Sequence, residues 1–368
     1  MKLAIRIIKI FVAVLFIFSG LIKANDPLGL SYKMQEFFEV WNWHFLNNYT
    51  LYLAIAMNVF EIVAGIALLL NWRLKKIIWL LLILIIFFTF LTGYALFSGK
   101  IKTCGCFGDC LPLTPLQSFL KDILLMILIV IILIHSYKIP TKITSQKETI
   151  ALIISFGFIV YLQLYALKHL PFIDCLPYKK GNNIVEKMKI PAGALPDSFA
   201  IAFQYKKANK IIEFDAEHFP DDFDDSYEFV KRFDKLIRKG TAQASITDFS
   251  LQTLNNKDTT LEILNQGNKY ILFFVKDFST NKKNWLSGYL KLEKLCKELG
   301  IPLFVVTSMQ KEAQEIFKKG FSTILKCDAT VIKSAMRSTP GYMLLQQANI
   351  IEKVSYSDVD KLIKELKK

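Results

Sequence analysis

The sequence predicts an α-helical membrane bundle of about five transmembrane helices, followed by a C-terminal α/β domain outside the membrane. Three observations point there. Five apolar runs, Leu3 to Ile22, Leu51 to Leu70, Ile77 to Phe97, Leu116 to Tyr137 and Ile150 to Leu167, each approach the about 20 residues needed to cross a hydrocarbon core of about 30 Å. Charge density rises abruptly after Leu170-Pro171, and no later stretch is long or apolar enough to span. Beyond Ser245, short apolar runs alternate with runs of helical spacing, the pattern of an α/β layer.

The first run opens with Lys2, Arg6 and Lys9, as a signal peptide would. Ser19-Gly20-Leu21-Ile22-Lys23-Ala24 is a poor cleavage site, so the run is expected to stay as a helix. Lys2, Arg6 and Lys9, then Arg73, Lys75 and Lys76, then Lys138, Lys142 and Lys147 mark alternate connections as cytoplasmic, against Lys100, Lys102 and Lys121 beside the third loop. Five spans from a cytoplasmic amino terminus leave everything after Lys168 outside, and all six cysteines with it. Disulfides persist on that side and are reduced on the other. The chain is therefore expected to be a multi-pass plasma (inner) membrane protein with a periplasmic C-terminal domain. Trp41 and Trp43, in the first outer loop, read as interfacial anchors.

In the outer half, Phe199 to Tyr205 and Ile211 to Phe214 flank a polar turn and read as a hairpin. Asp221 to Asp225 then reads as the acidic start of a helix from Tyr227 to Ile237, closed by Gly240; it lacks the glycine turn and final glutamate of a calcium loop. Tyr270 to Val275 and Leu303 to Thr307 read as strands, Gly341 to Leu345 and Ile350 to Val354 as paired strands. Leu286 to Leu299, Lys311 to Lys319 and Val359 to Leu366 read as helices. The chain carries 46 Lys and Arg against 32 Asp and Glu, a net +14. Much of that excess borders the apolar runs, where it meets lipid headgroups, so the bilayer is the expected partner and nucleic acid is not.

Three cysteines crowd one outer loop, Cys104-Gly105-Cys106-Phe107-Gly108-Asp109-Cys110, and Cys175 follows the fifth span on the same face. A thiol–disulfide relay needs cysteines close enough to pass the bond and open enough to meet a partner. The same four would serve as static bridges between outer loops, and two bridges among them can be drawn in three ways. A zinc site fits worst, because paired ligands are usually two to four residues apart. Cys296 and Cys327 read as buried free thiols. Glu61, deep in the second span, is either a proton relay or quinone contact, or a packing acid bonded to Asn58, Ser19 or Tyr94. Asp122, nearer the outer surface, reads as an interfacial acid with the option of accepting a thiol proton.

The membrane half resembles the DoxX-like superfamily and, within it, the MauE (methylamine utilisation) branch. The matching residues are Phe18-Ser19-Gly20-Leu21-Ile22-Lys23 leading to Asp26-Pro27, Glu61 followed by Gly65, Cys104-Gly105-Cys106-Phe107-Gly108, and Lys121-Asp122. This resemblance implies a role in forming disulfides in an envelope protein and, more loosely, a quinone as electron acceptor. From about Ile246 the chain resembles a thioredoxin-like domain, with Ser338-Thr339-Pro340-Gly341 as its cis-proline turn. The usual Cys-x-x-Cys is missing: Lys276 to Trp285 holds no cysteine. The resemblance then implies a groove around Thr339, Pro340 and Trp285 that recognises a partner without exchanging disulfides.

The expected organisation is a four-helix membrane domain over 1–140, a fifth span and junction over 141–175, a small α+β module over 176–244 and the thioredoxin-like domain over 245–368. The expected function is a membrane thiol–disulfide oxidoreductase or accessory, with Cys104, Cys106, Cys110, Cys175, Glu61 and Asp122 as its working residues and an extracytoplasmic protein bearing thiols or disulfides as its partner. The rival is a non-enzymatic scaffold with structural bridges.

Overall fold

The computed structural model describes residues 2–101, 105–137, 145–195, 198–207, 210–215, 220, 223–224, 226–238, 240, 244–318 and 320–367. Cys104 and the acidic residues Asp221, Asp222 and Asp225 lie outside them. The membrane half is built from α1 (Lys2–Asn25), α2 (Pro27–Val40), α3 (Thr50–Leu70), α4 (Leu74–Ser98), α5 (Pro115–Ser136) and α6 (Gln146–Lys168). All but α2 belong to segments long and apolar enough to cross a bilayer.

Local chemistry sets the ends of these helices. Asp26 caps α2 by accepting from the Gly29 amide at 3.0 Å, with Pro27 at the first helical position. Capping boxes open α5 (Thr114 with Gln117) and α6 (Ser145 with Glu148). Small residues let α1 and α3 close on each other: a Cβ on Gly65 would lie 2.9 Å from the Ala13 carbonyl oxygen. The core below that contact packs Phe16, Leu68, Leu81, Ile85 and Ile129.

Two expectations for this half need correction. The first outer loop is largely helical, as α2, and Trp41 is packed inside the protein with its ring 5.4 Å from Tyr94 and 5.6 Å from Phe37. Only Trp43, 48% exposed, keeps the open position of an anchor.

After α7 (Ile184–Met188) comes an antiparallel sheet of β1 (Ser198–Lys207), β2 (Lys210–Asp215) and β3 (Glu228–Arg238), ordered β2-β1-β3. The hairpin forms as expected, but the run read as a helix from Tyr227 to Ile237 is β3. Its apolar spacing admits either period, and ten-residue β1 supplies a pairing edge: Phe229 lies opposite Tyr205, their rings 5.5 Å apart.

The last domain runs α8 (Thr260–Leu264), β4 (Tyr270–Val275), α9 (Lys282–Leu299), β5 (Leu303–Thr307), α10 (Gln310–Phe317), β6 (Thr323–Lys326), α11 (Ala329–Ala335), β7 (Gly341–Gln346), β8 (Asn349–Ser355) and α12 (Val359–Leu366). Sheet order is β6-β5-β4-β7-β8, with β4, β5 and β6 parallel and β7 antiparallel to both its neighbours. Every residue of β4 is buried, because helices cover both sheet faces. A cis Thr339–Pro340 bond leads into β7. This is the thioredoxin-like arrangement that the sequence resemblance implies.

Candidate functional site

The loop between α4 and α5 carries the sulfur chemistry. Cys110 is bonded to Cys175, which ties this loop to the segment after α6, while Cys106 is a free thiol. Gly105 has φ +68°, a left-handed conformation that favours glycine. A Cβ there would also lie 3.1 Å from Lys33 Cγ, so the loop is pressed against α2. Burial pushes the Cys106 thiol above the ordinary range; Lys121 and a hydrogen bond with Ser118 pull the other way without overcoming it.

Two lysine–carboxylate pairs sit inside the helices beside this loop. Glu61 and Lys23 form an ion pair, 0% and 2% exposed, and Ser19 Oγ lies 3.2 Å from Glu61 Oε2 and 3.0 Å from the Cys106 carbonyl oxygen. Ser19 was among the partners expected for Glu61, but Lys23 was not. Of the other two expected partners, Asn58 donates instead to Gln163 on α6 at 3.0 Å, and Tyr94 packs its ring on Trp41. Asp122 is no interfacial acid: it is fully buried, accepts from Thr92 Oγ1 at 3.1 Å and pairs with Lys121 at 2.8 Å. Both lysines and Cys106 line one cavity of about 420 Å³ between α1, α2, α3, α4 and α5.

The thioredoxin-like domain packs onto this assembly with its cis-proline side. Arg337 Nε donates to Asp26 Oδ2 at 2.7 Å, Nη1 to the Lys333 carbonyl at 2.6 Å, and Nη2 to Asp109, the neighbour of Cys110. Lys276, Lys333 and Arg337 surround the Tyr32 ring of α2 at 5.9, 4.9 and 5.5 Å from its centroid. Lys353 pairs with Asp174 at 2.7 Å, and His169 with Asp358 at 2.7 Å.

This placement overturns the expected partner groove. Trp285 is 1% exposed, packed on Phe273 and donating to the Thr280 carbonyl at 3.3 Å, so it offers no surface. Pro340 is buried, and the Thr339 carbonyl is taken by Thr280 Oγ1 at 3.0 Å. Cys296 and Cys327 are buried, and burial pushes each thiol up to about 12.

Residues 1–135 match the family described as methylamine utilisation protein MauE. That match takes in α1 to α4, the cysteine loop and nearly all of α5. Residues 199–239, the three-stranded sheet, match a domain of unknown function (DUF8463). Protein TlpB of Flavobacterium psychrophilum is 26% identical over 184 residues, 48% of this chain and 45% of that protein, so the alignment spans under half of each. Yeast Sco1 aligns over 32% of this chain and 92% of its own at 17% identity, with a TM-score of 0.24, too low to bear on function. The chain is a multi-pass membrane protein in which one loop carries a free thiol and one end of a disulfide.

Proposed function

We propose that this protein is a membrane thiol–disulfide oxidoreductase that oxidises an extracytoplasmic partner, with its amino terminus cytoplasmic and its thioredoxin-like domain periplasmic. The supporting observation is that Cys110, oxidised to Cys175 of the segment after α6, and a free thiol, Cys106, lie four residues apart in one short loop that reaches a cavity among the helices. A partner thiolate attacks the bridge, one S–S bond forms as another breaks, and the partner leaves with its own disulfide while Cys110 and Cys175 become thiols. Restoring the bridge removes two electrons and two protons: a disulfide between Cys104 and Cys106 would accept them by exchange, becoming two thiols as Cys110–Cys175 re-forms. Asp122 and Lys121 stand where the Cys106 proton goes; Lys23 stands on the cavity wall, with Glu61 paired to it from behind. A quinone held in that cavity would re-form the Cys104–Cys106 bridge, taking up the two electrons and two protons as its hydroquinone.

Replacing a resolving cysteine tests the exchange. Cys106→Ala or Cys110→Ala should accumulate a mixed disulfide with an envelope protein, seen as an adduct that dithiothreitol removes. No adduct from single replacement of any of Cys104, Cys106, Cys110 and Cys175 would refute the relay and leave a static bridge. Orientation has its own check: a membrane-impermeant maleimide should label Cys175 in intact, reduced cells.

A further inference from the structure

Each cysteine of the bridge is preceded by an aspartate, and the thioredoxin-like domain holds both aspartates. Arg337, shortly before β7, pairs with Asp109, and Lys353, on β8, pairs with Asp174 at 2.7 Å. The two cations are almost wholly withdrawn from water, their side chains 7% and 4% exposed. A third tie comes from the end of α1: Asn25 exchanges two hydrogen bonds with the Ile173 backbone, at 2.9 and 3.0 Å, while the next residue, Asp26, accepts from Arg337. The β7–β8 hairpin and the turn leading into it therefore grip both segments that carry the bridge.

Cys110 and Cys175 are 65 residues apart, so their sulfurs meet only while something keeps those two segments side by side. Opening the bridge frees the segments to part, and any parting draws Asp109 and Asp174 away from cations that the fold keeps from water. A buried charge that loses its partner is strongly unfavourable. Arg337 would still have Asp26, but Lys353 would have lost its carboxylate. Burial already holds the Lys353 ammonium below its usual range with Asp174 beside it. The closed bridge and the docked domain thus support each other.

We infer that the thioredoxin-like domain is a redox-responsive clamp on the Cys110–Cys175 bridge: Arg337 and Lys353 position the two cysteine-bearing segments, docking favours the disulfide, and reduction of the disulfide loosens docking. The step this linkage acts on is reduction by a dithiol, whose two sulfurs join as the Cys110–Cys175 bond breaks, passing two electrons and two protons to make two thiols. The inference deepens the proposed relay, whose bridge it regulates, yet the linkage holds for a static bridge too.

Full-length protein in micelles, equilibrated against reduced and oxidised dithiothreitol, quenched with acid and then tagged with a maleimide, gives the closed fraction by mass spectrometry of the Cys110 and Cys175 peptides. Lys353→Met should shift the equilibrium about ten-fold toward the thiols, an ordinary coupling between linked sites and equal to about 30 mV. Asp109→Asn, at a position 40% exposed, should shift it the same way but less, because Arg337 keeps Asp26. Coupling is reciprocal, so reducing the wild-type protein should raise amide exchange in α2 by about the same ten-fold while β4 keeps its protection.

An unchanged equilibrium in Lys353→Met with β4 still protected, or α2 exchange indifferent to reduction, would overturn the inference and leave Arg337 and Lys353 as packing contacts. If Lys353→Met fails to fold, Asp109→Asn and the reduced wild-type protein still decide. Mixed-disulfide trapping with no such shift would sink this inference and spare the relay; a shift with no trapped adduct would sink the relay alone.

Discussion

Arg337→Gln should release the thioredoxin-like domain from the membrane half while leaving both halves folded. The guanidinium is 7% exposed and meets two carboxylates, Asp26 and Asp109, which the substitution would leave facing each other. Each contact is worth about 4 kcal/mol of attraction at an effective dielectric of 20. Asp26 and Asp109, 17% and 40% exposed, take up water once the guanidinium is gone, so its loss costs about 1.5–3 kcal/mol. Amide hydrogen exchange reads the loss directly. Protection in α2 and in the 105–110 loop should fall by roughly one to two orders of magnitude, at about 1.4 kcal/mol per decade. Protection in β4 and β7 should hold, since their hydrogen bonds lie within the outer sheet. Arg337→Lys should give an intermediate loss, because one ammonium cannot copy the fork that spans both acids. Unchanged exchange in α2 would refute the clamp, and equal loss in β4 would make Arg337 a folding residue of the outer domain.

Other outcomes follow from the same geometry. Lys121→Met should slow alkylation of Cys106 by a lipid-permeant maleimide; in the wild-type protein the rate should still be rising with pH above about 8.5, because burial holds the thiol above its ordinary value. A rate plateau below that pH would contradict the placement of Cys106. Cys296 and Cys327 should stay unlabelled by iodoacetamide in the native protein and react only on unfolding, as mass spectrometry will show. Burial would raise Asp358, but hydrogen bonds from Lys361 and His169 more than offset it and hold the carboxyl below its usual range. Its stabilisation is therefore present above the unfolded value of about 3.9 and lost as pH falls through the lower folded value. Asp358→Asn should lower the melting temperature at pH 5 and make no difference at about pH 2. Gly65→Val should force α1 from α3 at a cost of about 1–3 kcal/mol, measurable by unfolding in micelles.

Length and periodicity made the spans and most of the outer strands legible, because an apolar run of membrane length or a buried strand has few competing readings. Glu61 stood out as a charge inside such a run. Lys23 did not: it ends its run, where lysine ordinarily reaches for the headgroups, and only the fold turns it inward onto Glu61. The four-residue spacing of Ser19 and Lys23 on one face of α1 was the available signal. Helix α2 was missed because Lys33, Glu36 and Glu39 give it the composition of a loop. The Cys110–Cys175 pairing was one of three equal drawings until α6 brought Cys175 back to the loop. Arg337 and Asp26 stand 311 residues apart, and no local pattern announces a contact across that distance.

Tyr32 and its helix lie where a thioredoxin-like domain would otherwise meet another protein. Because the occupant belongs to the same chain, any outside molecule seeking that face competes with a tethered segment whose effective concentration is of the order of millimolar. A protein at ordinary abundance would find the face already filled. That face of the thioredoxin-like domain is committed to its own membrane half.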